Sequence, residues 1–383
     1  MEFVFWILLF FVFYTYLGYP LILCFHSFFH RKLVLKNAKN NYPKVSVVIA
    51  ARNEEQHIER RIRNIEKQDC PPNKLEVIVV SDGSNDNTAD IVTTLASEAN
   101  NHQTGEKDFL TLFSHSSPLG KPSCINTGVA AATGDIVIFA DCRQRFADNA
   151  IRELVKNFAD ESVGCVSGEL VLEKTPGSSI QAEMDAYWKF EKWLRKTESH
   201  TGSVPGATGA IYAIRRELFR PLPVQTLLDD VLIPMRICMK GFRTVFDSHA
   251  VAYDTVSMNL TLEKKRKIRT LAGNWQLLFL EPKLLNPFRN PLWFRFLSHK
   301  IFRLLAPYCF MLSIMIAFSL KNMASLLFLM AVSVFFLISL LPPLKGRFGF
   351  LSRPSKIFRS LIFFNYFAIL APFKLIFSPR KLW

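Results

Sequence analysis

The sequence predicts an α/β domain built on a mainly parallel sheet, with transmembrane α-helices at both ends of the chain. Three observations predict it. Between residues 45 and 141, unbroken apolar strands alternate with helical stretches, the pattern of a parallel sheet covered on both faces. Uncharged runs long enough to cross a bilayer precede and follow that region. Half of the 383 residues are hydrophobic, 35 of them Phe, and the mean hydropathy is +0.16, more apolar material than a soluble domain of this size needs.

The membrane segments come first in the chain. Residues 3–25 carry no charge. The run begins Met1-Glu2 and ends Phe25-His26, without the basic start and small-residue finish of a cleaved signal, so a retained helix is expected. Residues 304–320 and 324–341 form two further spans around a turn at Lys321-Asn322. Residues 360–373 are apolar but short, bounded by Arg359 and Lys374, and read as a fourth span or as a re-entrant or interfacial segment. Arg31, Lys32, Lys36, Lys39 and Lys44 follow the first run, which orients residues from about 28 to 300 toward the cytosol. Lys345, Arg347, Arg353, Lys356 and Arg359 repeat the signal after the third run. The basic tail, with Lys374, Arg380 and Lys381, favours the re-entrant option. The expected division is 1–27 for the first membrane helix, 28–285 for a cytosolic domain and 286–383 for a membrane region of two or three spans. The location is an integral, multi-pass position in a plasma or inner membrane.

The 47 Lys and Arg against 32 Asp and Glu give a net charge of +15. Many of these cations flank apolar runs, among them Lys264, Lys265, Arg266 and Lys267. That placement suits an anionic lipid surface, and no zinc-finger or helix-turn-helix signature is present, so no nucleic acid is expected as a partner. The seven cysteines contain no C-x-x-C pair, which implies neither a disulfide framework nor a zinc site.

Within the domain, residues 45–50 form the first strand and a helix follows from Glu54. Residues 75–80 form the second strand, ending at Ser81-Asp82-Gly83-Ser84, with a helix from about Asp86. Residues 109–114 form a third strand, 120–132 a helix, and 135–140 a fourth strand ending at Asp141. Ligands of such sheets bind beyond the carboxyl ends of the strands. The polar residues sit there: Arg52, Asn53 and Glu54 after the first strand, Asp82 after the second, Asp141 after the fourth.

Asp86 is placed to cap the next helix and Gly83 to turn the chain, whereas Asp82 has no such structural task. It is suited to accept hydrogen bonds from a base or ribose, or it belongs to an ordinary turn-and-cap loop. Asp141 at a buried strand end needs a cation or polar partner. A divalent metal bridging a diphosphate would supply one, and an N-cap near Arg143 is the alternative. Asp229 and Asp230, between apolar neighbours, suit a site where one carboxylate acts as base, or serve a helix N-terminus. Arg266 and Arg269 share a helical face and can grip a leaving diphosphate, or touch lipid headgroups. In residues 178–200, Ile180, Met184, Tyr187, Trp188 and Leu194 fall near one face. They mark an interfacial lip for the acceptor or core packing.

Taken in order, these sites resemble the family 2 glycosyltransferases with a GT-A (Rossmann-like) fold. The resemblance runs from Val45 through Glu55, Val80 through Asp86, Gly120-Lys121 to Asn126, Phe139-Ala140-Asp141, Gly206 through Tyr212, and Asp229-Asp230. It implies an inverting transferase of the hexosyltransferase class, moving a sugar from a nucleotide-sugar, a UDP-sugar, to a polysaccharide or lipid-linked acceptor. By resemblance, Asp82 holds the uridine or ribose, Ala51, Asn53 and Glu54 line the base pocket, and Lys121 and Asn126 lie near the nucleotide. Arg266 belongs with them at the donor. Asp141 is the first carboxylate of the metal-binding D-x-D motif for Mn2+ or Mg2+, and Asp230 is the catalytic base beside Asp229. The motif reads Asp141-Cys142-Arg143, so its second carboxylate is missing. The Q-x-x-R-W motif of processive synthases is absent too, and Arg269 takes its arginine's role. Membrane lipids and subunits of a synthase or export complex are the partners implied. The missing carboxylate leaves one alternative, an inactive relative that serves as a scaffold in a synthase complex.

Overall fold

The computed structural model describes residues 1–36, 42–101, 109–173, 179–255, 260–341 and 352–378. Eight strands make one sheet in the order β3-β2-β1-β4-β7-β6-β8-β5. They are β1 (Val45–Ala51), β2 (Leu75–Asp82), β3 (Leu110–His115), β4 (Ile136–Ala140), β5 (Arg145–Phe146), β6 (Val163–Glu173), β7 (Ile211–Arg215) and β8 (Arg243–Thr255). The first half is parallel, β3 to β2 to β1 to β4. β7 runs antiparallel between β4 and β6, and β8 returns parallel to β6. The mainly parallel GT-A-like sheet expected from the sequence is present.

Alternation along the strands sorts the core onto two faces. Val47, Val79 and Ile138 face one side, under α3 (Ile58–Glu66), α4 (Thr88–Asn101) and α6 (Ala150–Lys156). Val48, Ile78, Val137 and Phe139 face the other, under α5 (Lys121–Ala131) and α8 (Asp229–Met239). Gly128 lets α5 lie close on β1, because a Cβ there would fall 2.4 Å from Val48 Cγ1.

The membrane-length helices are α1–α2 (Glu2–Phe13 and Tyr19–Phe29, joined by a π-turn), α11 (Phe302–Leu320) and α12 (Met323–Leu340). The fourth, α13, runs Ser352–Phe377, of which Pro354–Phe377 is apolar enough to cross a membrane. It is longer than residues 360–373 because its bounding charge is accommodated. Arg359 donates to the Ser339 and Leu341 carbonyls at the end of α12. Among the described residues, four helices are long and apolar enough to cross a membrane, which fits a multi-pass membrane protein. Lys345, Arg347, Arg380 and Lys381 lie outside the described residues.

The two parts share a core. Phe296 of the short α10 (Trp293–Phe296), Ile301 and Leu304 pack with Leu232 and Met235 of α8. α13 covers α9 (Leu260–Leu280), where Phe367 and Ala371 meet Leu227, Ile268 and Ala272. α7 (Ser179–His200) is held to the first membrane helix by Tyr19 Oη, which donates to Glu198 at 2.5 Å. Leu194 is buried there, against Tyr19 and Leu23, and Trp188 is partly buried. The side chains of Ile180, Met184 and Tyr187 lie outside the described residues.

Candidate active site

The carboxyl ends of β1, β2 and β4 open on one crevice. Two loops form its first wall, laced together by side chains. Asn85 N donates to Asn53 Oδ1 (2.9 Å), Glu54 N to Thr88 Oγ1 (2.8 Å) and Glu55 N to Asp86 Oδ2 (3.1 Å). Asn53 holds a left-handed backbone (φ 55°), which Asn tolerates better than most residues. Gly83 does so as well (φ 60°), and a Cβ there would meet Pro118 N at 2.7 Å. Asp86 caps α4 as expected, accepting from Thr88 N. Asn53, Glu54, Glu55, Gln56, His57, Asn85, Asp86 and Arg143 line an open cavity of about 560 Å³. Burial raises the Glu54 carboxyl above its ordinary range, with Asp141 adding to the shift.

Asp82 has a structural task that the sequence did not show. Its carboxylate accepts Leu119 N (2.7 Å) and Gly120 N (2.9 Å), fixing the start of α5, and it is 5% exposed. With His115 and Cys124 it forms a cluster capable of coordinating a divalent cation, the donor atoms lying within 4.8 Å of one another. Burial, and then Asp82, push the Cys124 thiol up to about 12, so a cation there would have to displace its proton.

The next wall is a line of charges. Lys121, at the first turn of α5, places Nζ 2.9 Å from Asp141 Oδ1 and 3.8 Å from Asp229 Oδ1. These carboxylates hold the ammonium's proton tightly against the opposing effect of burial. Asp141 therefore pairs with a cation of the chain and caps no helix, since β5 follows in place of one. Asn126, expected near the nucleotide, has its amide engaged on both sides by Leu222, accepting from N and donating to O.

Asp229 and Asp230 open α8. Asp229 is buried (4% exposed) and accepts from Tyr212 Oη at 3.0 Å. Asp230 is partly exposed, and burial, then Asp229, push its carboxyl up to about 6. The side chains before α8 are set by α9. Leu227 N donates to Gln276 Oε1 (2.9 Å), and a Cβ on Gly273 would fall 2.5 Å from Leu228 Cγ. Arg269 reaches the Leu227 carbonyl at 3.4 Å and leaves a buried Nε unsatisfied. Arg266, three residues earlier, is exposed. Arg143, where the second D-x-D carboxylate is missing, turns to β8 and binds Asp254 through Nε at 3.0 Å, with Gln144 donating to the same carboxylate.

So the structure brings Asp141, Lys121, Asp229 and Asp230 together and places Asn53 and Glu54 on the adjoining cavity. Asn126 is tied to Leu222, and Arg266 is an exposed residue of α9. Tyr212 and Asp254 were missed as site residues. Both are tyrosine or aspartate in strands, where only the fold reveals what they face.

Residues 136–341, more than half of the chain, match the family described as "Glycosyl transferase family group 2", and residues 46–222 match "Glycosyl transferase family 2". The chain belongs to glycosyl transferase family group 2. Among its relatives, a probable glycosyltransferase of Bacillus subtilis, YdaM, is 26% identical over 243 residues, covering 61% of this chain and 55% of that protein. A beta-monoglucosyldiacylglycerol synthase of Trichormus variabilis is 24% identical, over 53% of this chain and 42% of its own. The chain thus spans about half the length of the curated relatives it matches. A mannosyltransferase from Pyrobaculum calidifontis, PcManGT, solved with GDP-Man and Mn2+, superposes with a TM-score of 0.71. That pair is 22% identical and covers 97% of this chain and 99% of the other. The likeness establishes a shared fold across the sheet and the flanking helices.

Proposed function

We propose that this family group 2 protein is an inverting glycosyltransferase that moves a sugar from a nucleotide-sugar, a UDP-sugar, to a polysaccharide or lipid-linked acceptor at the cytosolic membrane face. The observation that carries the reading is Asp230, a partly exposed carboxylate with a raised proton affinity, opposite a cation-balanced Asp141 at the sheet's carboxyl edge.

The base and ribose of the donor lie in the cavity between Asn53, Glu54 and Asn85, while the Ala51 side chain, expected to line it, is buried in the core. The diphosphate meets Lys121 and Arg269. The acceptor hydroxyl gives its proton to Asp230 as its oxygen bonds to the anomeric carbon. The bond from that carbon to the diphosphate oxygen breaks, and the electron pair leaves with the nucleoside diphosphate. Asp230 suits this task because burial and then Asp229 raise its carboxyl toward working pH. Asp229, held by Tyr212, keeps the α8 N-terminus in register and faces Lys121.

Asp141 fits a divalent cation, Mn2+ or Mg2+. One oxygen faces Lys121, and the other has no described partner. Such a cation would supply positive charge to the donor's diphosphate. Lys121 supplies part of that charge itself, which fits a site that lacks the second D-x-D carboxylate.

The testing experiment measures nucleoside diphosphate release from separate nucleotide-sugars by the purified protein, beside Asp230→Asn. Release from one donor, abolished in the variant, is expected. Wild-type release in a folded Asp230→Asn variant would remove the base assignment.

A further inference from the structure

We propose that Arg143, which stands where the second D-x-D carboxylate is missing, binds a phosphate of the nucleotide-sugar directly and gives the chain a hold on the donor that needs no metal ion. The proposal rests on the transferase reading above and adds a donor contact to it.

The backbone around Arg143 is fixed by α3. Arg60 Nη2 donates to the Arg143 carbonyl (3.1 Å) and Arg61 Nη1 to the Gln144 carbonyl (3.1 Å). Asn64 binds Phe146 twice, accepting from N at 2.7 Å and donating to O at 3.0 Å. The Arg61 guanidinium is buried, 3.8 Å from the centre of the Phe146 ring. The Arg143 side chain is held as firmly. Its Nε donates to Asp254 Oδ1 (3.0 Å) and its Nη2 to Asp254 Oδ2 (2.5 Å), and Gln144 Nε2 donates to the same Oδ2 (2.9 Å). A guanidinium fixed through both main chain and side chain loses little freedom when a ligand arrives.

This pairing is side-on, and the Nη1 edge takes no part in it. The Arg143 side chain is 27% exposed, against 6% for Asp254. Arg143 lines the cavity of about 560 Å³ that Asn53, Glu54 and Asn85 also line. The ion pair itself is electrically balanced, so no surplus of charge calls for a ligand. What points to one is the position of a fixed, partly exposed guanidinium on the wall of this cavity.

The other lining residues say where an anion would go. Glu54, Glu55 and Asp86 bring three carboxylates. Glu55 is spent on Asn87, accepting from N and Nδ2, and Asp86 on Glu55 N and Thr88 N. Arg143 is the permanent cation of the lining, with His57 as the other basic group. A phosphate entering the cavity is repelled from the Asp86 side and drawn to Arg143. Asp141 lies two residues away, at most about 7 Å between Cα atoms, with Lys121 Nζ 2.9 Å from its carboxylate. A donor whose base and ribose fill the cavity therefore carries its phosphates toward Asp141 past Arg143. A carboxylate at position 143 would add negative charge there, whereas the planar fork of an arginine matches a phosphate.

A purely structural pair would behave differently. β5 and β8 already meet through Arg145 with Tyr253 and Phe146 with Ala252. If the Arg143–Asp254 pair only reinforced that junction, its loss would weaken phosphorylated and unphosphorylated ligands alike.

The test measures, by calorimetry on the full chain in neutral detergent with chelator, the affinities for UDP, uridine, GDP and guanosine. One diphosphate should bind ~tenfold or more tightly than its nucleoside. Arg143→Gln should weaken that diphosphate by about tenfold and leave the nucleoside within ~twofold of wild type. This variant strands the buried Asp254 carboxylate, so the double variant Arg143→Gln/Asp254→Asn is measured beside it and should show the same selective loss. Three results would overturn the proposal: neither diphosphate binding more tightly than its nucleoside, diphosphate affinity unchanged in both variants, or nucleoside affinity lost in parallel in both. Donor turnover by the wild type, read separately, decides the transferase reading. A chain that holds a diphosphate through Arg143 but releases none from any donor would keep this proposal and lose that reading.

Discussion

His299 is clamped between two carboxylates, with Nδ1 2.9 Å from Glu198 and Nε2 2.7 Å from Glu191. Its side chain is 1% exposed and that of Glu198 is fully buried. The clamp joins the start of a membrane helix to α7. Replacing His299 by Leu leaves both carboxylates without this partner. The variant should lose about 3 kcal/mol of stability, the scale of a broken buried pair. Thermal unfolding in detergent checks it, with His299→Gln retaining more stability than Leu.

Lys121 balances Asp141 and Asp229 at once. Lys121→Met should lower donor turnover by ~tenfold or more, because the loss of a preorganised cation weakens stabilisation of the leaving diphosphate. The same variant should depend more steeply on added Mn2+. Initial rates against metal concentration measure both.

Tyr212 is buried, its ring stacked on Phe139 at 4.6 Å, with its hydroxyl donating to Asp229. Tyr212→Phe keeps the packing and removes one buried hydrogen bond, so stability should fall by about 1–2 kcal/mol. Turnover should fall with it, since Asp229 sets the first turn of α8. A parallel melting curve and rate measurement separates the two effects.

The pH dependence follows from Asp230. A base must be deprotonated to act, and burial with Asp229 raises its carboxyl to about 6. Turnover should therefore be level at neutral pH and fall as the pH drops through about 6, with one proton taken up per site. A rate that stays level down to pH ~4.5, well below that shifted value, would contradict this assignment.

Much of the site was legible because strand ends in a parallel sheet are marked by residue type. Val45 to Ala51, Leu75 to Val80 and Ile136 to Ala140 are largely apolar runs, and the polar residues that follow them, among them Asn53, Asp82 and Asp141, lie at the carboxyl edge of the sheet. What stayed hidden depends on contacts distant in sequence. Asp82 reads as free until Leu119 and Gly120 are seen donating to it. Asn126 reads as a nucleotide neighbour until its amide is found on Leu222, 96 residues away. β6 and β8 were unassigned because their polar and apolar residues do not run continuously, and their parallel pairing is itself interrupted by register shifts between Val163 and Cys165 and between Ser167 and Glu169.

The most direct test of the central claim is nucleoside diphosphate release from a panel of nucleotide-sugars. The purified chain is assayed with Mn2+, Mg2+ or chelator, beside Asp230→Asn. Release from one donor is expected, stimulated by a divalent cation and reduced by ~hundredfold or more in the variant. Release unchanged in a folded Asp230→Asn protein, or no release and no nucleotide binding by the wild type, would contradict it.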